Sequence, residues 1–476
     1  MTEYVRLKRG DEVELEITGS AFEGKAIARF RGLVVFVEGA VPGDLVTAQI
    51  SKTKKNLVEA KVICLQRPSP LRTQPRCVHF GTCGGCKWQH VDYKGQLQFK
   101  QQHVIDSFER IGGFKDLPIQ PIIGAKEIFF YRNKMEFSFS SEEWQESPPA
   151  AHFEPERTHA GLYLGLHVPQ RFDKILDLKE CHLQSEVSNG ILSFTRSFFR
   201  ERAIPVYATE SDSGYLRFLV IRQSRRTDEL MVNLVTRIDD PELMESYAAA
   251  LQEAFPKVTT IVNTINSKRA QIAFGDLERI YKGEGIIRER LGNRTFIISA
   301  GSFFQTNTAQ AERLFETARN LAEFKSSDVV FDLYSGTGSI ALFISSDVKQ
   351  VIGVESVEGA QKDAERNAAA NGITNCDFIL GDLKDRLTRD DDWIRKYPKP
   401  DVVILDPPRS GIHTKVIERI VEINPSRIVY VSCNPATQAR DVKLFCSDSY
   451  RIAKLQPVDM FPHTYHIENV ALLHLK

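Results

Sequence analysis

The sequence predicts an α/β protein: a mostly parallel sheet with helices on its faces at the carboxy-terminal end, preceded by a small five-stranded β-barrel and a β-rich central region. Three observations carry this. Short apolar strands parted by Gly- and Pro-bearing turns fill residues 1–66, strand-rich stretches dominate residues 125–292, and from Phe296 onward strands and helices alternate.

In the first segment the strands read as Val13–Ile17, Lys25–Phe30, Leu33–Val37, Leu45–Ile50 and Asn56–Leu65, a pattern that suits a small OB-like barrel. The Pro-bearing stretch Arg67–Pro75 links it to a cysteine loop, so that residues 67–91 form a separate loop region. Gly95–Ile111 has helical apolar spacing, and residues 92–124 are expected to pack on the carboxy-terminal domain. The central region, 125–292, contains YRNKMEFSFS, GLYLGLH, LRFLVIRQS, ELMVNLVT and IVNTIN as strands, with a long polar loop between Glu142 and His159. Residues 293–476 carry VVFDLYSGTGSIALF, VIGVES, DVVILDPP and RIVYVSC, the rhythm of a parallel sheet.

Charge is balanced over the 476 residues, with 62 Lys+Arg against 62 Asp+Glu, which argues against a protein that simply coats nucleic acid. The balance is uneven, however. Between Ser51 and His103 ten basic residues face only Glu59 and Asp92, a net +8 at the barrel's end and the cysteine loop. No apolar run approaches the roughly 20 residues that span a bilayer, and the first residues lack a signal-peptide core. The expectation is a cytoplasmic protein without membrane contact, a monomer with no obligate protein partner.

Of eight cysteines, Cys77, Cys83 and Cys86 crowd into RCVHFGTCGGCKWQH. C-x5-C-x2-C with two adjacent glycines suits a metal centre better than disulfides, and Cys181 in the polar stretch DLKECHLQ is the best fourth ligand. Cys64 and Cys376 sit in apolar strand patterns, where a buried small hydrophobe is the ordinary explanation. Spacing alone leaves zinc, completed by His79, His90 or His182, and an iron–sulfur cluster equally open.

Gly336, Gly338 and Ala341 in DLYSGTGSIA follow a strand and open a helix, fitting G-x-G-x-x-A, and Glu355 ends the next strand where it can accept from ribose hydroxyls. An adenosine-bearing cofactor follows, either NAD or S-adenosylmethionine. LDPPRSG then places Asp406 at a strand end facing the same crevice, and SCNPATQARD puts Cys433 at the mouth of the sheet as a candidate nucleophile.

GSFFQTN (Gly301–Asn307), DLYSGTG, LDPPRSG, SCNPATQARD and DMFPHTYHIENVALL (Asp459–Leu473) resemble, in that order, the motifs of the RNA uridine-5-methyltransferases. The resemblance covers nearly the whole chain. It implies a Rossmann-like class I methyltransferase domain, an amino-terminal TRAM barrel that binds RNA, and a 4Fe–4S cluster on Cys77, Cys83, Cys86 and Cys181. It further implies methyl transfer from S-adenosylmethionine to carbon 5 of a uridine, with Cys433 as nucleophile, Glu468 as base, and Gln305, Tyr334, Glu355, Asp382 and Asp406 against the cofactor. A TRAM domain together with a cluster points, within the family, to 23S ribosomal RNA more than to transfer RNA. Ser335 and Ser339-Ile340 depart from the family's pattern beside the cofactor loop.

Flipping the target uridine out of its stack gives the accessory regions work to do. Arg132, Lys134, Arg217, Arg222, Arg225 and Arg226 are candidates for phosphate, and Phe80, Trp88 and Phe130 for stacking on displaced bases. Two other classes compete: a non-catalytic RNA-binding or ribosome-assembly factor, against which Cys433 and Glu468 argue, and an NAD-dependent oxidoreductase, which leaves SCNPATQARD without a purpose.

Overall fold

The computed structural model describes residues 7–54, 57–142, 144, 161–168, 171–388 and 392–476. Five strands, β1 (Glu12–Ser20), β2 (Ala26–Phe30), β3 (Leu33–Glu38), β4 (Leu45–Lys54) and β5 (Leu57–Arg67), close a barrel in the order β1-β2-β3-β5-β4. Alternation makes the barrel: Val13, Leu15 and Ile17 of β1 point inward with Val35, Val37, Ala48 and Ile50, while the intervening residues face water. Cys64 is exposed on β5, not buried, because β5 outruns the barrel core at its far end. Lys55 lies outside the described residues, as does the long loop after Glu142 apart from Trp144.

Helix α1 (Tyr93–Ser107) begins at Asp92, whose carboxylate accepts from the Gly95 N–H. The central region is a seven-stranded sheet in the order β12-β11-β10-β9-β6-β7-β8. Its parts are β6 (Lys134–Ser140), β7 (Tyr163–Val168), β8 (Arg171–Asp177), α2 (Glu186–Glu201), β9 (Leu216–Gln223), β10 (Leu230–Thr236), α3 (Pro241–Ala254), β11 (Thr260–Ile265) and β12 (Leu277–Lys282). The strand-rich reading omitted α2 and α3, which bury Ile191, Leu192, Phe199, Tyr247 and Leu251 against this sheet.

A hairpin of β13 (Ile286–Leu291) and β14 (Arg294–Ser299) leads to α4 (Thr308–Ala322) and a second seven-stranded sheet. Its elements are β15 (Val329–Leu333), α5 (Ser339–Ile344), β16 (Gln350–Glu355), α6 (Glu358–Ala370), β17 (Cys376–Leu380), α7 (Leu383–Arg386), α8 (Asp392–Lys396), β18 (Val402–Leu405), α9 (Thr414–Ile423), β19 (Arg427–Ser432), α10 (Pro435–Cys446), β20 (Tyr450–Val458) and β21 (Glu468–Leu475). The order is β17-β16-β15-β18-β19-β21-β20, parallel except for β21. Strands buried on both faces need continuous apolar runs, and Val402–Leu405 and Ile428–Val431 supply them. Among the described residues no helix is long and apolar enough to cross a membrane.

One polar joint fixes the segment between β20 and β21. Lys100 of α1, with no exposed side-chain surface, donates to Asp459 at 2.5 Å and to the Phe461 carbonyl, and Tyr93 donates to the other Asp459 oxygen at 2.8 Å. The Lys87 and Trp88 N–H groups donate to the His463 carbonyl, and Gln96 accepts from the His463 N–H. Lys100→Met leaves a buried carboxylate without its cation and is expected to cost about 3–5 kcal/mol, read from denaturant unfolding; Lys100→Met with Asp459→Leu recovers most of it.

This joint also corrects the charge reading. Lys100 belongs to the +8 stretch but spends its charge internally, and so does Arg72, paired with buried Asp44 at 2.7 Å. Arg217 and Arg222, read as phosphate ligands, are buried: Arg217 donates to the carbonyls of Asn266, Lys268 and Ala270, and Arg222 to those of Ala300 and Ser302. Lys134 pairs with Glu136, Arg225 with Glu127 and Arg226 with Glu312. Trp88, read as a stacking surface, is 3% exposed, its indole donating to the Gly24 carbonyl and packing edge-on against Phe99.

Candidate active site

In an open parallel sheet the crevice forms where strand order reverses, outside the carboxyl ends of the strands. Here that point lies between β15 and β18. Tyr334, Ser335 and Gly336 leave β15, Glu355 ends β16, Asp382 follows β17, Asp406 follows β18 and Cys433 follows β19. All of these arrive by the same logic: each stands at or just past the carboxyl end of a strand of this sheet.

Glu468 reaches the same edge by a different route. It is the first residue of β21, the one antiparallel strand, and Ser432 pairs with Asn469 in the β19–β21 ladder. The register therefore sets Cys433 beside Glu468, although 34 residues separate them in sequence. Cys433, Glu468, Gln305, Tyr334, Glu355, Asp382 and Asp406 all line one cleft of about 1770 Å³, together with Arg132, Phe303, Arg409, Thr464 and His466.

The cofactor-type loop is tight. Tyr334 is held at φ +68°, a region that costs a residue with a Cβ, and Gly336 and Gly338 follow at +56° and +74°. A Cβ on Gly338 would stand 2.9 Å from Ala364 and Phe378. Glu355 accepts from the Gly336 N–H at 2.9 Å and the Val357 N–H at 2.8 Å, and Asp382 caps α7 through the Lys384 N–H. Buried Asp332 accepts from the Ala341 N–H at the start of α5, and burial, then Asp406, pushes its carboxyl up to about 8.

Gln305 is placed by the central region. Asn133 donates to the Gln305 carbonyl at 2.8 Å and its own N–H to the Thr306 carbonyl, while Arg222 holds the Ser302 carbonyl. Asn307 caps α4 and donates to the Met460 carbonyl, tying GSFFQTN to the segment before Glu468. Phe303, on this clamped segment, is nonetheless 66% exposed at the cleft.

Around the reacting edge four titrating groups are displaced. Glu468 is 6% exposed, and burial, then nearby Asp406, raises its carboxyl well above the usual range. Burial raises Asp406 to about 7. The Cys433 thiol is pushed up to about 11 by burial and by Glu468, with Arg409 acting the other way. Burial lowers His466 to about 4, helped by Arg409. Sequence reading missed Arg409 and His466; the first stood in LDPPRSG and the second two residues before Glu468, but nothing local to either showed that they meet.

The three loop cysteines and Cys181 gather at the joint of the cysteine loop and the central region. Cys86 packs in the same apolar cluster as Cys181, and each of Cys83 and Cys86 feels the charge of Cys77 and Cys181. Cys83 Sγ accepts from the Gly85 N–H at 3.4 Å and Cys86 Sγ from Gln89 at 3.3 Å. Burial holds Cys83 up to about 11 and Cys86 up to about 12, which favours the protonated thiols near neutral pH. Among the described residues no group of three or more His, Cys, Asp or Glu is drawn up around a single ion. His79 accepts from the Lys179 N–H, and His182 pairs with Glu180.

Comparison with known proteins places this geometry in context. Residues 224–476 match the tRNA (Uracil-5-)-methyltransferase family model, and residues 6–63 match the TRAM domain. An uncharacterized RNA methyltransferase of Porphyromonas gingivalis is 44% identical over 96% of this chain and 99% of its own. Another, from Chlorobaculum tepidum, is 43% identical over 98% of this chain and 97% of its own. Among solved structures, the Pyrococcus abyssi tRNA (uracil-54, C5)-methyltransferase in complex with S-adenosyl-L-homocysteine has a TM-score of 0.73 at 29% identity, covering 97% of this chain and 100% of that one.

Proposed function

This chain belongs to the tRNA (uracil-5-)-methyltransferase family, and from that premise we propose that it methylates carbon 5 of a uridine in RNA through a covalent Cys433 adduct. It is an RNA methyltransferase that uses S-adenosylmethionine, with a TRAM barrel for RNA contact. The observation that carries the mechanism is the β19–β21 register, which stands a thiol and a carboxyl side by side over the cofactor-type loop.

Carbon 5 of uracil is too weak a nucleophile to take a methyl group unaided. The Cys433 sulfur adds to carbon 6, the ring electrons move onto the carbon 4 oxygen, and carbon 5 then attacks the methyl of S-adenosylmethionine, whose sulfur leaves with the bonding pair. Glu468 takes the carbon 5 proton, the double bond re-forms and the carbon 6–sulfur bond breaks. Gln305, Tyr334, Glu355, Asp382 and Asp406 surround the cofactor in this reading, and Glu355 can exchange its present loop hydrogen bonds for ribose hydroxyls.

Cys77, Cys83, Cys86 and Cys181 would hold the 4Fe–4S cluster that the resemblance implies, a reading supported by the shared burial of Cys86 and Cys181 and by the mutual influence of the four sulfurs. Such a cluster would supply no step in methyl transfer; the loop that would hold it, anchored by Lys87 and Trp88 on His463, braces the segment before Glu468. For the RNA, domain content supports 23S ribosomal RNA. A transfer-RNA reading has its own support, since the Pyrococcus abyssi tRNA enzyme aligns over 97% of this chain.

The test is release of tritium from RNA labelled at uridine carbon 5. Release is expected with S-adenosylmethionine and not without it, and assays on 23S ribosomal RNA and on transfer RNA in parallel assign the substrate. No release from either sinks the reading. Iron and acid-labile sulfide in the purified protein check the cluster, and zinc alone refutes it.

A further inference from the structure

A phenyl ring gains by leaving water, so one held open to solvent at a substrate cleft points to a ligand that covers it. Phe274 is such a ring. It stands in the loop between β11 and β12, residues 266–276, is 55% exposed, and lines the same cleft as Cys433 and Glu468. We propose that Phe274 stacks on an unpaired base of the substrate RNA adjoining the extruded uridine, which makes the β11–β12 loop a specificity-determining part of the site. The inference rests on the reading of a uridine flipped into this cleft.

Hydrogen bonds hold the loop on both sides of the ring. Buried Arg217 of β9 donates to the carbonyls of Asn266 at 2.7 Å, Lys268 at 2.6 Å and Ala270 at 2.5 Å. Asn266, with no exposed surface, donates to the Ile272 carbonyl at 2.8 Å. Beyond the ring, the Asp276 N–H donates to the Ile265 carbonyl at 2.9 Å. Gly275 runs so close to β11 that a Cβ there would stand 2.2 Å from the Ile265 carbonyl oxygen. A buried guanidinium and a buried amide thus fix a loop that leaves Ile272 and Phe274 open to solvent.

The surface beneath the ring is fixed as well. A Cβ on Gly301 would meet the Phe274 ring at 3.8 Å, so the ring lies against bare backbone there. Arg222 holds the carbonyls of Ala300 and Ser302 on either side of Gly301. Phe303 follows two residues later, exposed in the same cleft. Two open aromatic side chains therefore reach the cleft from different parts of the fold, the central sheet and the segment before α4.

The chemistry of the occupant follows from the place. Extruding a uridine breaks its stack with both neighbours and leaves their faces to be covered. Unpaired bases of a bound RNA strand are received on aromatic side chains, because every base carries a π-face. A protein seated on Phe274 would stand in the cleft that the uridine has to enter.

The test irradiates the full-length protein at 254 nm with total cellular RNA and S-adenosylhomocysteine, and maps linked nucleotides by peptide mass spectrometry. A nucleotide is expected on the peptide that carries Phe274. Phe274→Leu, which keeps the apolar surface but removes the ring, is expected to lose that crosslink and to weaken binding of the crosslinked RNA about tenfold; Phe274→Tyr retains both. An abasic residue at the linked position weakens binding to the parent by a similar factor and costs the Phe274→Leu protein nothing further, because base and ring act as one pair.

Crosslinks confined to the rest of the chain, or none at all, overturn the proposal, and so does unchanged RNA affinity in Phe274→Leu. Additive losses from the abasic residue and Phe274→Leu also overturn it, since the base then rests elsewhere. Tritium release from uridine carbon 5 is measured on the same preparations. The crosslink without release keeps the stacking residue and removes the carbon 5 reading; release without the crosslink does the reverse.

Discussion

Cys433→Ala abolishes methyl transfer, by at least about 10⁴-fold, because without the sulfur nothing in the cleft can push electrons into the uracil ring. Of the eight cysteines, Cys433 is the one that lines the cleft, so no neighbouring thiol substitutes for it. The substitution is also gentle. Cys433 is partly exposed, and its removal leaves the Ser432–Asn434 and Asn434–Ala436 hydrogen bonds that shape the turn. Thermal unfolding and S-adenosylhomocysteine binding should therefore match the parent while single-turnover methylation vanishes. Retained turnover removes Cys433 from the mechanism; lost cofactor binding assigns it to the loop's architecture.

How much of this was legible in the sequence divides along a physical line. Features that depend on neighbours in the chain were readable: the alternation of Val13, Leu15 and Ile17 that closes the barrel, the apolar runs that become central parallel strands, and the glycines of the turn after β15. The class of fold and the TRAM barrel followed from these and from motif resemblance. Features that depend on remote partners were not. The positive stretch between Ser51 and His103 reads in sequence as one run of like charge, yet Lys100 finds Asp459 359 residues away and Arg72 finds Asp44 across the barrel's end. A tally of charges cannot distinguish a lysine that meets phosphate from one that pins two domains together.

Trp88 and the buried arginines teach the same lesson from the opposite side. Aromatic and cationic residues are what an RNA surface needs, but they are also what a polar joint needs. Arg217 and Arg222 each satisfy two or three backbone carbonyls, and Arg222 thereby sets the segment that presents Phe303 and Gln305. Neutralising Arg222 would alter the cleft through that segment rather than through any phosphate. Exposed aromatics at the cleft are Phe274 and Phe303, the second in the clamped GSFFQTN, where the sequence showed only a motif.

Glu468 is the sharpest case, since its surroundings in HIENVALL read as an ordinary solvated strand carboxylate. What removes it from solvent is the antiparallel entry of β21 between β19 and β20, a matter of topology. That position gives the second large prediction. Glu468→Gln is expected to arrest the reaction after methyl transfer, so that protein and RNA accumulate as a covalent adduct stable to denaturing electrophoresis, with turnover down about 10²–10⁴-fold. Glutamine keeps the shape and the hydrogen-bonding reach of the side chain, so sulfur addition and methylation proceed, but it cannot take the carbon 5 proton, and elimination waits on that proton.

The raised carboxyl adds a sign. A protonated Glu468 is no base, and burial with Asp406 nearby holds its proton on above the usual carboxylate range, while Cys433 must also lose a proton from a thiol near 11. Parent turnover should therefore rise with pH through the neutral and mildly alkaline range, and the slow decay of the Glu468→Gln adduct should lose the part of that dependence that belongs to proton removal. The adduct must form only with S-adenosylmethionine present if the arrest follows methylation. An adduct that forms equally without it places the block at the methyl step, and activity lost with no adduct at all gives Glu468 a role in binding rather than in release.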